Sequence, residues 1–239
     1  MTADVPGNGC DTRDLLVVHR VLRSVFARIP RLVAEAGSDP ERHAVIDAHL
    51  DEMAHALHSH HEGEDLALWD RLERRRPACA LHVTQMRTQH AGIAAQLTRV
   101  ATAHAGWKVD RAGGADALVG VLVALNDALN THLADEERFV PEIAPELISQ
   151  KEWDEMREHG MAGIPRDRLL VQLGFMLREF DTEEERADFW GRVPLGARVM
   201  YRLFGARQLS RELTEHYGEA PYTSSTTDRT RPPNMRPHE

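Results

Sequence analysis

Six polar side chains occupy positions where the sequence pattern calls for apolar residues. They are four histidines and two glutamates, namely His19, His60, Glu64, His90, His132 and Glu136. A buried carboxylate is costly in free energy unless it is paired or coordinates a metal. Four imidazoles and two carboxylates suit two divalent first-row metal ions, with glutamate bridging the ions and histidine completing each coordination sphere. Six protein ligands leave positions open for a bridging oxygen and an exogenous molecule, which indicates a reactive site.

The two glutamates lie in a repeated motif. The segments ALHSHHEGED (56–65) and ALNTHLADEE (128–137) share the pattern A-L-x-[ST]-H-x-x-x-E-[DE]. In each segment the histidine and the glutamate are four residues apart, which places them on one face of a helix. A lone histidine precedes each motif: His60 follows His19 by 41 residues, and His132 follows His90 by 42 residues. The pattern predicts two pseudo-equivalent halves, each supplying two histidines and one glutamate.

Four long segments carry these residues, and each has apolar side chains at intervals of three and four. This period is typical of an amphipathic helix with one buried stripe. The predicted helices run from Asp11 or Thr12 to about Ala36, from Glu41 to Arg75, from Ala78 to Ala105 and from Ala115 to Val140. Their short connections favour an all-α fold, an up-down-up-down four-helix bundle over residues 11–147.

The remainder of the chain has a shorter helical pattern. Helices are predicted at 149–159, 166–180, 183–190 and 194–217, forming a C-terminal helical extension (148–219) that packs on the bundle. From residue 220 onward the composition turns to Ser, Thr, Pro and Arg, which predicts a disordered tail over 220–239.

Charge and composition exclude several classes of partner. The net charge of −9 argues against a nucleic-acid partner. The two cysteines form neither a CxxC motif nor a paired framework, which favours a reducing cytoplasm. The N-terminus lacks a basic region followed by an apolar run, and no stretch approaches the roughly 18 apolar residues of a membrane span. We therefore expect a cytoplasmic protein with no membrane partner.

The set of motifs resembles the hemerythrin-like HHE cation-binding domains. The resemblance rests on DLLVVHRVLR (14–23), HHEGED (60–65), QH (89–90) and HLADEE (132–137), in that order, and covers about residues 11–145. It implies a non-haem centre of two iron ions with an oxo or hydroxo bridge. Such a centre binds dioxygen, peroxide or nitric oxide, and the resemblance therefore implies a small oxidant as partner.

Two positions depart from the oxygen carriers of that family. The carriers have a second histidine four residues before the position of His90, where this chain has Met86, and they end in aspartate where this chain has Glu136. One histidine fewer predicts an open position or a water on one metal ion. This favours redox chemistry, sensing or iron handling over reversible oxygen carriage.

Several neighbouring polar residues have two interpretations. His61 lies near the middle of the apolar arc of the second helix, which makes it a candidate additional ligand, although the repeat has Leu133 at that position. Asp65 and Glu137 either orient adjacent ligands or form part of a solvated face, and we expect the solvated face. An ExxH pattern at residues 52–55 resembles a ferritin-like motif, but it falls on the outer face of the helix and is interpreted as chance. The histidines at 49, 55 and 58 are expected to be solvated.

Three functions remain open at this point. The leading hypothesis is oxidant handling or sensing by a di-iron centre. The second is a di-iron oxygenase or oxidase acting on an organic substrate, with the extension forming a cavity over one end of the bundle. The third is an iron-storage or regulatory module. If the protein is an enzyme, we expect an oxidoreductase, with a redox partner that the sequence does not identify.

Overall fold

The computed structural model describes residues 9–219, and within this range the chain forms helices and no strand, apart from one isolated bridge between Gly9 and Ser149. The all-α class is therefore confirmed. The predicted tail (220–239) lies outside the described residues. The first six helices are α1 (Arg13–Phe26), α2 (Ile29–Ala34), α3 (Pro40–Ala67), α4 (Trp69–Arg75), α5 (Ala80–Val109) and α6 (Ala115–Leu147). They are followed by α7 (Gln150–Ala162), α8 (Leu169–Arg178), α9 (Glu183–Arg192), α10 (Leu195–Met200), a π-helical turn (Tyr201–Gly205) and α11 (Ala206–Tyr217).

Two of the long predicted helices are interrupted. The first divides into α1 and α2, because Pro30 at the second position of α2 has no amide hydrogen and clashes with the preceding turn. The second divides after Ala67, where α3 ends and α4 begins. The link between α2 and α3 uses Gly37 in the left-handed region at φ 64°, and the Asp39 side chain caps α3 just before Pro40.

Helix α6 continues to Leu147, beyond the predicted end at Val140. It includes Pro141 and Pro145, each of which removes one helical hydrogen bond at a cost of about 3 kcal/mol in a helix interior. The extra turns bury Ala144 and Leu147 in an apolar cluster that also contains Val140. That burial offsets the lost hydrogen bonds, which explains why the helix does not stop at the first proline.

Among residues 9–219, α6 is also the one helix whose length and composition would allow it to cross a membrane. One such helix is weak evidence, since the core helix of a soluble domain has the same properties. Helix α6 places Leu118, Leu125, His132 and Glu136 in the protein interior. Within its most apolar 18-residue window 33% is buried, so a position in the core accounts for part of its apolar composition.

The buried apolar residues form two clusters. The large cluster contains, among others, Leu22, Leu57, Ile93 and Leu129, and the small cluster contains Leu15, Leu68, Met86 and Phe139. Helices α1, α5 and α6 each contribute to both clusters, whereas α3 contributes to the large cluster and is followed directly by Leu68 and Trp69 of the small one. The six histidines and glutamates singled out in the sequence lie where these four helices pass from one cluster to the other. They therefore form a polar layer between two apolar regions.

Candidate metal centre

The structure brings all six predicted residues together, and adds His61. Two groups of side chains result, each with one ligand atom per residue within 4.8 Å of the others. The first group consists of His19, His60, Glu64 and Glu136, and the second of His61, Glu64, His90 and His132. Glu64 belongs to both groups. The two halves of the repeat are therefore mixed, because Glu136 joins His19 and His60 instead of remaining only with the histidines of its own half.

Burial of the layer is nearly complete. The side chains of His19, His132 and Glu136 have no solvent exposure, and that of Glu64 has 1%. His60 is the most exposed of the seven, at 15% of its side chain. The charges and lone pairs of these groups must therefore be satisfied within the protein.

Seven buried atoms in the layer have no hydrogen-bond partner among the described residues. They are Nε2 of His19, His60 and His61, and both carboxylate oxygens of Glu64 and Glu136. Buried side-chain polar atoms nearly always have a partner, so seven exceptions at one place require a common explanation. Nitrogen and oxygen donors that converge in this way fit divalent cations.

Two carboxylates outside the layer determine the orientation of two imidazoles. The Nδ1 atom of His19 lies 3.1 Å from Oε1 of Glu137, and the Nδ1 atom of His90 lies 2.9 Å from Oδ1 of Asp65. A carboxylate oxygen only accepts, so each Nδ1 donates and each Nε2 presents a lone pair to the centre. The expectation that Asp65 and Glu137 serve only as a solvated face was wrong, although Asp65 remains partly exposed.

His132 is oriented by a chain of two side chains. Asp135 accepts a hydrogen bond from Nε2 of Gln89 at 2.8 Å, which turns Oε1 of Gln89 toward Nδ1 of His132 at 3.2 Å. His132 Nδ1 therefore donates, and its Nε2 carries a lone pair. That Nε2 lies 3.3 Å from Nε2 of His90, which also carries a lone pair. Two lone pairs at this distance repel unless a cation lies between them, which supports the fit to a metal.

His61 completes the second group from α3. Its ring stacks on His90 at 4.2 Å between centroids and meets His132 edge to face at 4.8 Å. Leu133, its counterpart in the repeat, is buried in the large apolar cluster, so the pseudo-symmetry ends at this position. Met86 lies in the small apolar cluster. Helix α5 thus lacks the second histidine that the oxygen carriers have, whereas α3 adds one histidine, His61, to the second group.

Electrostatics favour the metal-binding forms of the histidines. Burial lowers the pKa of His60 to about 3 and the pKa of His61 well below its ordinary value, so both stay neutral near pH 7. Burial, together with the charge of Glu136, raises the pKa of Glu64 well above its ordinary value. Burial also raises the pKa of Glu136, but the neighbouring imidazoles of His132 and His19, at 3.3 and 3.5 Å, outweigh it and lower the pKa to about 2. A cation near Glu64 would favour its ionised form.

The outer face of α3 differs from the sequence-based expectation. His49 was expected to be solvated, but it is 2% exposed, and its Nε2 lies 2.6 Å from the hydroxyl of Tyr217. Glu52, of the ExxH pattern, accepts hydrogen bonds from Arg168 and Gln172 at 2.8–2.9 Å. Neither belongs to a metal-binding group. The expectation was wrong because the C-terminal extension covers this face, and nothing in the local pattern of α3 signals it.

Comparison with known proteins agrees with this geometry. The family model described as Hemerythrin HHE cation binding domain matches residues 10–159, which is more than half of the chain and includes all seven residues of the layer. The match ends within α7, beyond the predicted end of the bundle. No curated protein and no solved structure gives a significant match. The chain belongs to the hemerythrin HHE cation-binding domain family.

Proposed function

We propose that the chain is a hemerythrin-like non-haem di-iron protein that binds and reacts with dioxygen, peroxide or nitric oxide, in oxidant handling or sensing. The observation that carries this proposal is the position of Glu64, whose carboxylate belongs to two adjacent groups of four donors. A shared carboxylate is suited to bridging two ions. With four protein donors in each group, an ion that prefers six ligands retains room for an oxo or hydroxo bridge and an exogenous molecule.

The donor sets suit iron. The first group offers two imidazoles and two carboxylates, and the second offers three imidazoles and one carboxylate. Mixed nitrogen and oxygen donors of this kind bind first-row divalent ions. When bound, two ferrous ions would supply the electrons that reduce a small oxidant.

The protein's own residues then have separate tasks. Asp65, Glu137 and Gln89 hold three imidazoles with their lone pairs directed inward. The two apolar clusters on either side of the layer exclude bulk water. Because His60 is the most exposed residue of the layer, a small molecule has its shortest approach beside it.

We further propose that α1, α3, α5 and α6 alternate in direction as an up-down-up-down bundle. The two apolar clusters support this. Along α1 and α5 the chain passes from the small cluster to the large one; along α6, and from α3 into α4, it passes from the large cluster to the small one. The free, buried thiols of Cys10 and Cys79 fit the proposed cytoplasmic location.

A second candidate function is oxidation of an organic substrate. A cleft of about 490 Å³ between α5 and α6 has Met86, Phe139, Cys79 and His82 among its lining residues. Met86 lies one helical turn before His90, and the volume falls within the range of small-molecule sites. The cleft is lined entirely by residues 76–143, so the extension does not form it as the sequence suggested.

Metal analysis with optical spectroscopy of protein purified in air tests the leading proposal. We expect two iron ions per chain and the near-ultraviolet bands of an oxo-bridged diferric centre. One tightly bound ion per chain after full reconstitution, or two zinc ions without those bands after iron is offered, would contradict it.

Oxidant consumption separates the two candidate functions. The leading proposal expects anaerobically reduced protein to consume dioxygen or peroxide with no organic co-substrate. Consumption that starts only when an organic molecule is added, and that stops when the cleft is narrowed by His82→Trp, would favour the oxygenase.

A further inference from the structure

An exposed apolar surface lies on the C-terminal extension, far along the chain from the polar layer of histidines and glutamates, which is called the metal layer from here on. It is formed by five side chains that are 45–69% exposed, here called the apolar row: Leu195, Val199, Met200, Leu203 and Phe204. Their spacing follows one side of the segment made by α10 and the π-helical turn. The other exposed large apolar residues of the described chain are Leu66, Leu81, Val109, Val123 and Met161, and they are dispersed over α3, α5, α6 and α7.

Packing on the opposite side of this segment holds the apolar row outward. Tyr201, Gly205 and Leu209 are buried against the extension. The approach is close, because a Cβ atom at Gly174 of α8 would lie 3.1 Å from the Tyr201 ring, and one at Gly205 would lie 3.1 Å from Cβ of Leu170 of α8. The segment therefore cannot rotate to bury the row. A π turn within a helix is rare and frequently marks a functional site.

Arginines without carboxylate partners accompany the apolar row. No acidic residue occurs between Asp188 and Glu212. Among residues 9–219, Arg198, Arg202 and Arg207 form no salt bridge, and the Arg202 guanidinium instead faces the Trp190 ring at 5.7 Å.

Arginines elsewhere in the protein contrast with these three. Arg75 pairs with Glu152, and Arg178 pairs with Glu219. Arg202 and Arg207 are exposed and constitute a local cationic surface on a chain of net charge −9, whereas Arg198 is half-buried.

We propose that the apolar row, together with Arg202 and Arg207, docks the protein on the surface of an anionic lipid bilayer. Such a surface presents hydrocarbon directly beneath negatively charged phosphates, so one face of the segment can insert apolar side chains while its guanidinium groups meet the phosphates. The expectation of no membrane partner was based on the lack of an apolar run of about 18 residues. A segment that lies in the headgroup region needs no such run.

A second copy of the chain is a poorer occupant. A two-fold contact would place the apolar row against itself, and would bring Arg202 and Arg207 of both copies together, where they repel. A contact between unlike surfaces would need an apolar patch with an acidic rim elsewhere. The exposed apolar residues of the other described helices are too dispersed to provide one.

Co-sedimentation of the full chain with vesicles tests the proposal. We expect binding to vesicles rich in phosphatidylglycerol, weak binding to phosphatidylcholine alone, and weaker binding at high salt. The double substitution Leu203→Glu with Phe204→Glu should abolish binding, because it places two charges where hydrocarbon is required. Arg202→Gln and Arg207→Gln should each weaken binding about fivefold, the effect of about 1 kcal/mol per basic residue.

A matched control separates the docking surface from general exposed apolar residues. Leu81 on α5 is 84% exposed and lies outside the apolar row, so Leu81→Glu should leave vesicle binding unchanged. Circular dichroism checks that each variant retains its helical content. Because the readout is lipid binding, failure of this proposal would leave the di-iron proposal untouched.

Three outcomes would overturn the inference. One is no binding to phosphatidylglycerol vesicles by the unmodified chain. A second is a concentration-dependent dimer in analytical ultracentrifugation that Leu203→Glu with Phe204→Glu abolishes, which would assign the surface to a second copy. The third is binding to polyglutamate as strong as binding to the vesicles and unaffected by that double substitution, which would reduce the surface to a site for acidic polypeptides.

Discussion

Helix α3 carries two buried histidine clusters that differ in chemistry. Its C-terminal half supplies His60, His61 and Glu64 to the metal layer. Its N-terminal half supplies His49, whose ring stacks on His216 of α11 at 4.4 Å and whose Nε2 contacts the hydroxyl of Tyr217. The acidic residues account for the difference. Neither Glu64 oxygen has a hydrogen-bond partner among the described residues, whereas Glu52, near His49, is bound to Arg168. Burial of histidine alone thus does not indicate a metal site; unpaired carboxylates converging with imidazole lone pairs do.

The largest loss of metal should come from replacing the glutamates of the layer by glutamine. Glu64→Gln should reduce the metal content from two ions per chain to none, since its carboxylate belongs to both groups. Glu136→Gln should mainly affect the first group and leave about one ion. Both are measured by elemental analysis after reconstitution with ferrous iron.

Glu52→Gln is the matched control on the same helix. Its partners are Arg168 and Gln172, so the metal content should remain at two. Loss of iron in Glu52→Gln with retention in Glu64→Gln would show that the metal layer has been assigned to the wrong face of α3.

A smaller loss is expected from the histidine without a counterpart in the repeat. His61→Leu substitutes the residue found at the equivalent position 133, and should lower the stoichiometry from two ions to one by weakening the second group. His58→Leu, on the exposed side of α3, should retain two ions. Equal iron content in the two variants would exclude His61 as a ligand.

The Asp135–Gln89–His132 chain should tune affinity without removing a ligand. Gln89→Leu deprives Nδ1 of His132 of its acceptor, and loss of such a partner typically costs 10–100-fold in metal affinity. Gln85→Leu is the control, because Gln85 donates to the same Asp135 at 2.8 Å and forms no hydrogen bond with a layer histidine. Competition with a chelator measures the metal affinity of both variants. Equal affinities of these variants would contradict an orienting role for Gln89.

The histidine cluster under α11 should appear in the pH dependence of stability. Burial lowers the pKa of His49 to about 3 and also lowers the pKa of His216. Between about pH 3 and 6.5 the unfolded chain therefore binds more protons than the folded chain. The free energy of unfolding should fall as the pH drops through this window, by up to about 1.4 kcal/mol per pH unit for each such group.

His49→Asn removes one of these titrations. The free energy of unfolding can be measured with urea at several pH values from 7 to 4. We expect it to fall less steeply with decreasing pH in the variant, by the equivalent of about one proton. The other residues are the same in both proteins, so their contribution cancels in the difference. An unchanged slope would mean that His49 is protonated in the folded state, in conflict with its burial.

Residues with a local signal were the predictable ones. His60 and Glu64 stood out because a polar residue on an apolar helical stripe is visible within a few turns of sequence. The ends of α3 and α6 were less predictable. Whether a helix stops at Pro141 or breaks at Leu68 depends on what the next turn can bury, and that involves residues far along the chain.

The sequence by itself determined the helical character of the chain, the repeated motif and the set of histidines and glutamates in the layer, because periodicity and spacing are properties of short segments. Only the tertiary structure decided that Glu136 joins His19 and His60, that His61 completes the second group, and that Gln89 links His132 to Asp135. It also decided that α11 covers His49 while the apolar row stays exposed. These relationships depend on the rotation and contact of helices distant in sequence, which no local pattern encodes.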